Sequence, residues 1–172
     1  IFGEIFLKIK YRIFIFIALL SKGLIYSQPV VYEDCIFSPI VKTVQVKDKD
    51  WDLSYPFMDL YSNQKLLISF DILSSEIRSL SYKLIHCNHD WTKSNLIKSE
   101  YIDGFEIQQI TEMSNSSNTL VDYVHYSFEL PNENIKMKVS GNYLLLVFDD
   151  NDESNILFQK RILLYERLIN ID

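Results

Sequence analysis

Between residues 40 and 165, apolar side chains return at every second position in one segment after another. Leu66, Ile68, Phe70 and Ile72 share one side of Lys65–Ile72, and Leu80, Tyr82 and Leu84 share one side of Leu80–His86. Val124, Tyr126, Phe128 and Leu130 do the same within Val121–Leu130. Successive side chains of a strand point to opposite faces, so this period describes half-buried strands. Ile40–Val46, Asn142–Phe148, Ile156–Tyr165 and a short extended piece at Pro56–Leu60 read the same way, separated by polar breaks such as Lys47-Asp48-Lys49-Asp50. After residue 28 no segment shows a helical period with caps. Six or seven short strands with mostly short connections predict two packed antiparallel sheets.

The first 27 residues follow different rules. Lys8, Lys10 and Arg12 precede the apolar run Ile13–Leu20, and Ser27 supplies a small residue before Gln28. That run is too short to span a bilayer, and the order of basic, apolar and small residues reads as a cleavable secretion signal over 1–27. The domain is then expected over 28–172. Without the signal the chain holds 13 basic and 22 acidic groups, a net charge of −9. Such a surface does not suit a nucleic-acid backbone, which needs a basic face. Cys35 and Cys87 lie far apart in sequence and are expected as two free thiols.

Ser140-Gly141-Asn142 leads into the uninterrupted strand Tyr143–Phe148. A Tyr placed after a Gly turn at the start of a penultimate strand is either the tyrosine corner of immunoglobulin-like sandwiches or an ordinary strand Tyr. The fold expectation is therefore an all-β, immunoglobulin-like antiparallel β-sandwich of about seven strands. Two stretches, Cys87–Thr119 and Pro131–Ser140, are expected as long loops, where binding residues usually gather.

Chemistry-bearing residues are sparse. His86-Cys87-Asn88-His89-Asp90 is the one dense cluster, but neighbours on a strand face opposite ways, so a strand-end turn is expected there, not a metal site. The acidic run Asp149–Glu153 lacks calcium-loop spacing and reads as a hairpin tip. No phosphate-binding glycine loop or nucleophile elbow occurs, no cofactor or small-molecule site is indicated, and no catalytic site is expected. Trp51, Tyr55 and Phe105 are expected to cap the open ends of the core, with Trp91 and Tyr101 the aromatics expected to present a surface.

Several short stretches occur in one order along residues 31–168: Leu53-Ser54-Tyr55-Pro56, His86-Cys87 with Asp90-Trp91, Ser99-Glu100-Tyr101-Ile102-Asp103-Gly104-Phe105, His125-Tyr126, Leu130-Pro131-Asn132-Glu133, and Ser140-Gly141-Asn142-Tyr143-Leu144-Leu145. In this series the chain resembles the first domain of the type IX secretion system plug protein, formerly a domain of unknown function. The resemblance implies a non-enzymatic periplasmic β-sandwich that docks to an outer-membrane translocon barrel and helps occlude its pore. Members of that family continue well past this domain. Docking then points to Trp91, Glu100, Tyr101, Asp103 and Phe105 as partner-binding residues, since aromatic anchors with a polar rim make hot spots. The alternative of another class is an exported carbohydrate- or adhesin-type recognition module on the same sandwich.

Overall fold

A computed structural model describes residues 32–150 and 152–167, so the expected signal segment lies outside the described residues. The described chain forms twelve strands and one short helix: β1 (Cys35–Ile36), β2 (Val41–Asp48), β3 (Phe57–Asp59), β4 (Leu66–Ile72), β5 (Leu80–Cys87), α1 (Lys98–Tyr101), β6 (Ile102–Gly104), β7 (Ile107–Gln109), β8 (Glu112–Asn115), β9 (Val124–Leu130), β10 (Ile135–Met137), β11 (Gly141–Asp149) and β12 (Asp152–Tyr165). One sheet runs β1-β12-β11-β5-β7 with β3 added to β12, and a second runs β2-β4-β9-β8. A small separate pair joins β10 to β6. All pairings are antiparallel except β3 against β12, which is parallel. The expected all-β sandwich is the observed one.

The alternating residues meet between the two sheets. Ile68, Phe70, Ile72, Tyr126 and Leu130 from one sheet pack on Leu80, Tyr82, Tyr143, Leu145 and Phe158 from the other. Phe70 stacks on Tyr126 at 5.3 Å and meets Phe158 edge-on at 4.8 Å, while Tyr82 stacks on Phe128 at 4.2 Å. Burying each such ring contributes about 1.5–3 kcal/mol. The phenols keep partners: Asn132 Nδ2 donates to Tyr82 Oη at 2.8 Å, and Tyr126 Oη donates to the Arg78 carbonyl at 3.1 Å. Burial pushes the Tyr82 phenol up to about 12 despite that donor.

β11 is buried on both faces, which accounts for its unbroken apolar run. Tyr143, Leu145 and Val147 face the core, whereas Leu144, Leu146 and Phe148 join Cys87 and Ile156 in a second cluster outside the sheet. Tyr32, Phe37, Ile85 and Trp91 pack against that cluster. Tyr143 makes the tyrosine-corner bond, its hydroxyl donating to the Val139 carbonyl at 2.8 Å. Cys35 and Cys87 are separated by β12 and β11, about 14 Å laterally at ordinary strand spacing, beyond the reach of a disulfide.

Two expectations need correction. Cys87–Thr119 is not a loop: it holds α1, β6, β7 and β8, and Pro131–Ser140 holds β10. These elements are three or four residues long, too short for a period to show. Their four strands, with the two-residue β1, raise the strand count from about seven to twelve. Secondly, Trp51, Tyr55 and Phe105 do not cap the core, because all three are exposed.

Candidate protein-docking site

The stretch between β5 and β7 is built upward from a turn at the end of β5. Asn88 N–H donates to the Thr92 carbonyl at 2.7 Å, and Asp90 accepts from the Thr92 amide at 3.0 Å and its hydroxyl at 2.6 Å. Those two donors hold the Asp90 carboxyl below its ordinary range. Trp91, at the turn's tip, takes a left-handed conformation with φ 65°. Its ring covers the Arg161 guanidinium at 4.4 Å, and Arg161 also donates to the Tyr32 carbonyl. A cation held over an indole face is worth about 0.5–1 kcal/mol at a partly open site. Trp91 is therefore half-buried against β12 and is a clasp as much as a surface.

The chain then returns to the core side of β5. His86 and Cys87 face opposite ways, as strand geometry requires, with His86 Nδ1 2.9 Å from Ser94 Oγ and its ring edge-on to Tyr143 at 5.1 Å. Ser94 N–H donates to the His86 carbonyl at 3.0 Å, so the insertion is pinned by backbone and side chain together. Among the described residues no group of three or more His, Cys, Asp or Glu is placed to hold a metal.

α1 follows. The Glu100 carboxylate accepts from the Ile97 N–H at 2.8 Å, satisfying a donor at the helix start. Glu100 thus caps the helix. Tyr101 turns inward and is only 6% exposed, its hydroxyl donating to the Leu84 carbonyl at 3.4 Å. Burial and the nearby Glu106 raise its phenol above the usual value. The expectation that Tyr101 presents a binding surface is corrected: the Tyr101 carbonyl accepts from Tyr143 Oη at 3.3 Å and from Lys138 N–H at 2.9 Å, so the residue joins the core.

Beyond it, β6 pairs with β10, setting exposed Asp103 beside Lys136. Gly104 has φ +117°, and a Cβ there would lie 1.9 Å from the Asn134 carbonyl oxygen. This close approach turns the chain so that Phe105 projects outward, 74% exposed. Gln108, itself buried, donates through Nε2 to the Phe105 carbonyl at 3.0 Å and the Asn134 carbonyl at 3.2 Å. Ile97 is the other large apolar side chain on this insertion that faces outward. Sequence reasoning passed over it because it weighed aromatics; its place between partly buried Leu96 and the helix start was the available signal. Lys93, Leu96, Ile97, Lys98, Tyr101 and Glu106 line a cleft of about 530 Å³. Of the five residues expected to bind a partner, Asp103 and Phe105 face solvent, Glu100 caps a helix, Trp91 clasps Arg161, and Tyr101 is core.

A family model for the type 9 secretion system plug protein, 1st domain, matches residues 41–166, which spans nearly every element described above. The chain belongs to that family. It is similar to a solved protein from Parabacteroides merdae, described as hypothetical, with 34% identity and a TM-score of 0.76. That likeness covers 78% of this chain but 34% of the other, so the chain spans about a third of its relative. A Pseudomonas fluorescens alkylpurine DNA glycosylase, bound to DNA with an abasic-site analogue, matches at 10% identity and a TM-score of 0.40 over 72% of this chain and 29% of its own. No curated protein matches the chain. The family is named for a plug component of secretion machinery, and the insertion between β5 and β7 carries two of the exposed large apolar side chains of this domain, Ile97 and Phe105.

Proposed function

We propose that this domain is exported to the periplasm behind the 1–27 signal and docks to an outer-membrane translocon barrel of the type IX machinery, helping to close its pore. Docking runs through the insertion between β5 and β7. The observation that carries the reading is the pairing of an outward Phe105 and Ile97 with a base fixed to the core at Ser94, Tyr101 and Gln108. A rigid apolar anchor loses little freedom on binding, which is what a hot spot needs. Occlusion asks for a stiff body with a complementary surface and no bond-making group, and family membership supports the partner.

Copurification tests this. Tagged domain incubated with solubilised outer membranes of its own organism is expected to retain a very large barrel protein. Phe105→Ala, with an unchanged circular dichroism spectrum, is expected to lose it. A folded wild-type domain that retains no barrel overturns the proposal.

A further inference from the structure

A second apolar surface lies away from the insertion. Between β2 and β3, and just after β3, stand Trp51, Leu53, Tyr55 and Tyr61, exposed by 58%, 84%, 73% and 76%. Together, side chains of this size and exposure present roughly 500 Å² of largely apolar area. The segment is ordered by its own bonds. Asp48 N–H donates to Ser54 Oγ at 2.5 Å, Ser54 N–H to the Trp51 carbonyl at 3.1 Å, and Lys47 pairs with Asp52 at 2.6 Å. Tyr55 stacks on Phe57 at 6.4 Å, and Phe57 meets Tyr165 at 6.1 Å.

Those contacts place the surface beside the end of β12. Leu163, also exposed, donates its N–H to the Pro56 carbonyl at 2.9 Å, Leu60 donates to the Tyr165 carbonyl at 2.9 Å, and Arg167 pairs with Asp59 at 2.9 Å. The parallel pairing with β3 thus brings the end of β12, at Tyr165, beside this patch. The family's domain is described as a first one, and the matched relative is about three times as long as the match.

We infer that the Trp51–Tyr61 surface is the seat of the domain that follows this one along the polypeptide in longer members of the family. A domain tethered at the end of β12 meets the patch at high effective concentration, so a surface of this size suffices. Interfaces between domains of one chain bury about 600–1,500 Å² in total, and roughly 500 Å² from one side fits that range. The inference rests on family membership and exit geometry, not on docking to a barrel, and its test involves no barrel.

Hydroxyl-radical footprinting compares residues 32–172 with the natural polypeptide continued through its next domain. Trp51, Leu53, Tyr55 and Tyr61 are expected to be protected at least threefold in the longer chain, with Ile97, Phe105 and Leu120 labelled equally in both. The double variant Leu53→Ser, Tyr61→Ser is expected to leave the denaturation midpoint of the short chain unchanged. In the long chain it is expected to speed proteolysis at the junction severalfold. Equal labelling of the patch in both chains overturns the inference, as does a gene that encodes no further domain. Protection that appears only on raising the concentration of the short chain assigns the patch to a second copy and overturns it as well.

Discussion

Replacing Gly104 with Ala tests the hinge that turns Phe105 outward. The new Cβ would sit 1.9 Å from the Asn134 oxygen, 2.9 Å from its carbonyl carbon and 3.1 Å from Ile135 Cα, all backbone atoms. None can retreat without parting β6 from β10. A non-glycine residue at φ +117° adds strain of about 1–3 kcal/mol, and overpacking adds about 1–3 kcal/mol, so the loss is about 2–6 kcal/mol. Local escape costs about the same: detaching the pair uncovers Ile102 and Ile135, both core residues worth about 1.5–3 kcal/mol each. Gly141 is the internal comparison. Its φ is +136°, but its Cβ would meet one side-chain ring and no backbone, His86 Nε2 at 2.7 Å, which can give way by lengthening its Ser94 contact. Gly141→Ala should therefore lose about 1–3 kcal/mol. Urea denaturation of residues 32–172, followed by circular dichroism with the slope checked, measures both. A Gly104→Ala midpoint equal to wild type, or a smaller loss than Gly141→Ala, refutes the close-approach argument.

Three further outcomes are expected. Tyr101→Ala should lose about 3–5 kcal/mol by opening a core cavity, whereas Tyr101→Phe should lose at most about 1 kcal/mol, since its hydroxyl makes one long bond; paired urea melts separate the two. Burial pushes the Cys87 thiol up to about 11, so in a Cys35→Ser background a thiol reagent at pH 8 should label Cys87 only at the rate of domain opening. Glu129 accepts from Lys49 at 2.5 Å and Lys65 at 2.8 Å, which holds its carboxyl below the ordinary range. The stability this adds is present above the unfolded carboxyl value and fades as pH falls through the lower folded one; Glu129→Gln should remove that pH-dependent part, about 1 kcal/mol or less.

The core was legible because long strands repeat their period. Leu66–Ile72, Leu80–Cys87, Val124–Leu130 and Gly141–Asp149 each lie within a few residues of where alternation placed them. What escaped were elements decided by tertiary contact. Nothing local distinguishes Ile102-Asp103-Gly104 as a strand; its partner Ile135–Met137 lies some thirty residues on. Tyr101 and Phe105 look alike in sequence, yet one ring is buried and the other projects, because Gly104 reverses the chain between them. Trp51 and Tyr55 read as caps for the same reason that they now read as a seat: an aromatic near a strand end needs cover, and sequence does not say from where.

Binding of the domain to a purified type IX translocon barrel, the proposed partner, with dissociation constants for wild type, Phe105→Ala and Leu120→Ser, tests the docking proposal most directly. Leu120 is fully exposed and lies outside the insertion. Phe105→Ala is expected to weaken binding about 30-fold or more, the equivalent of about 2 kcal/mol, while Leu120→Ser binds as wild type does. Equal constants for all three proteins, or loss of binding with Leu120→Ser alone, would contradict docking through the insertion between β5 and β7.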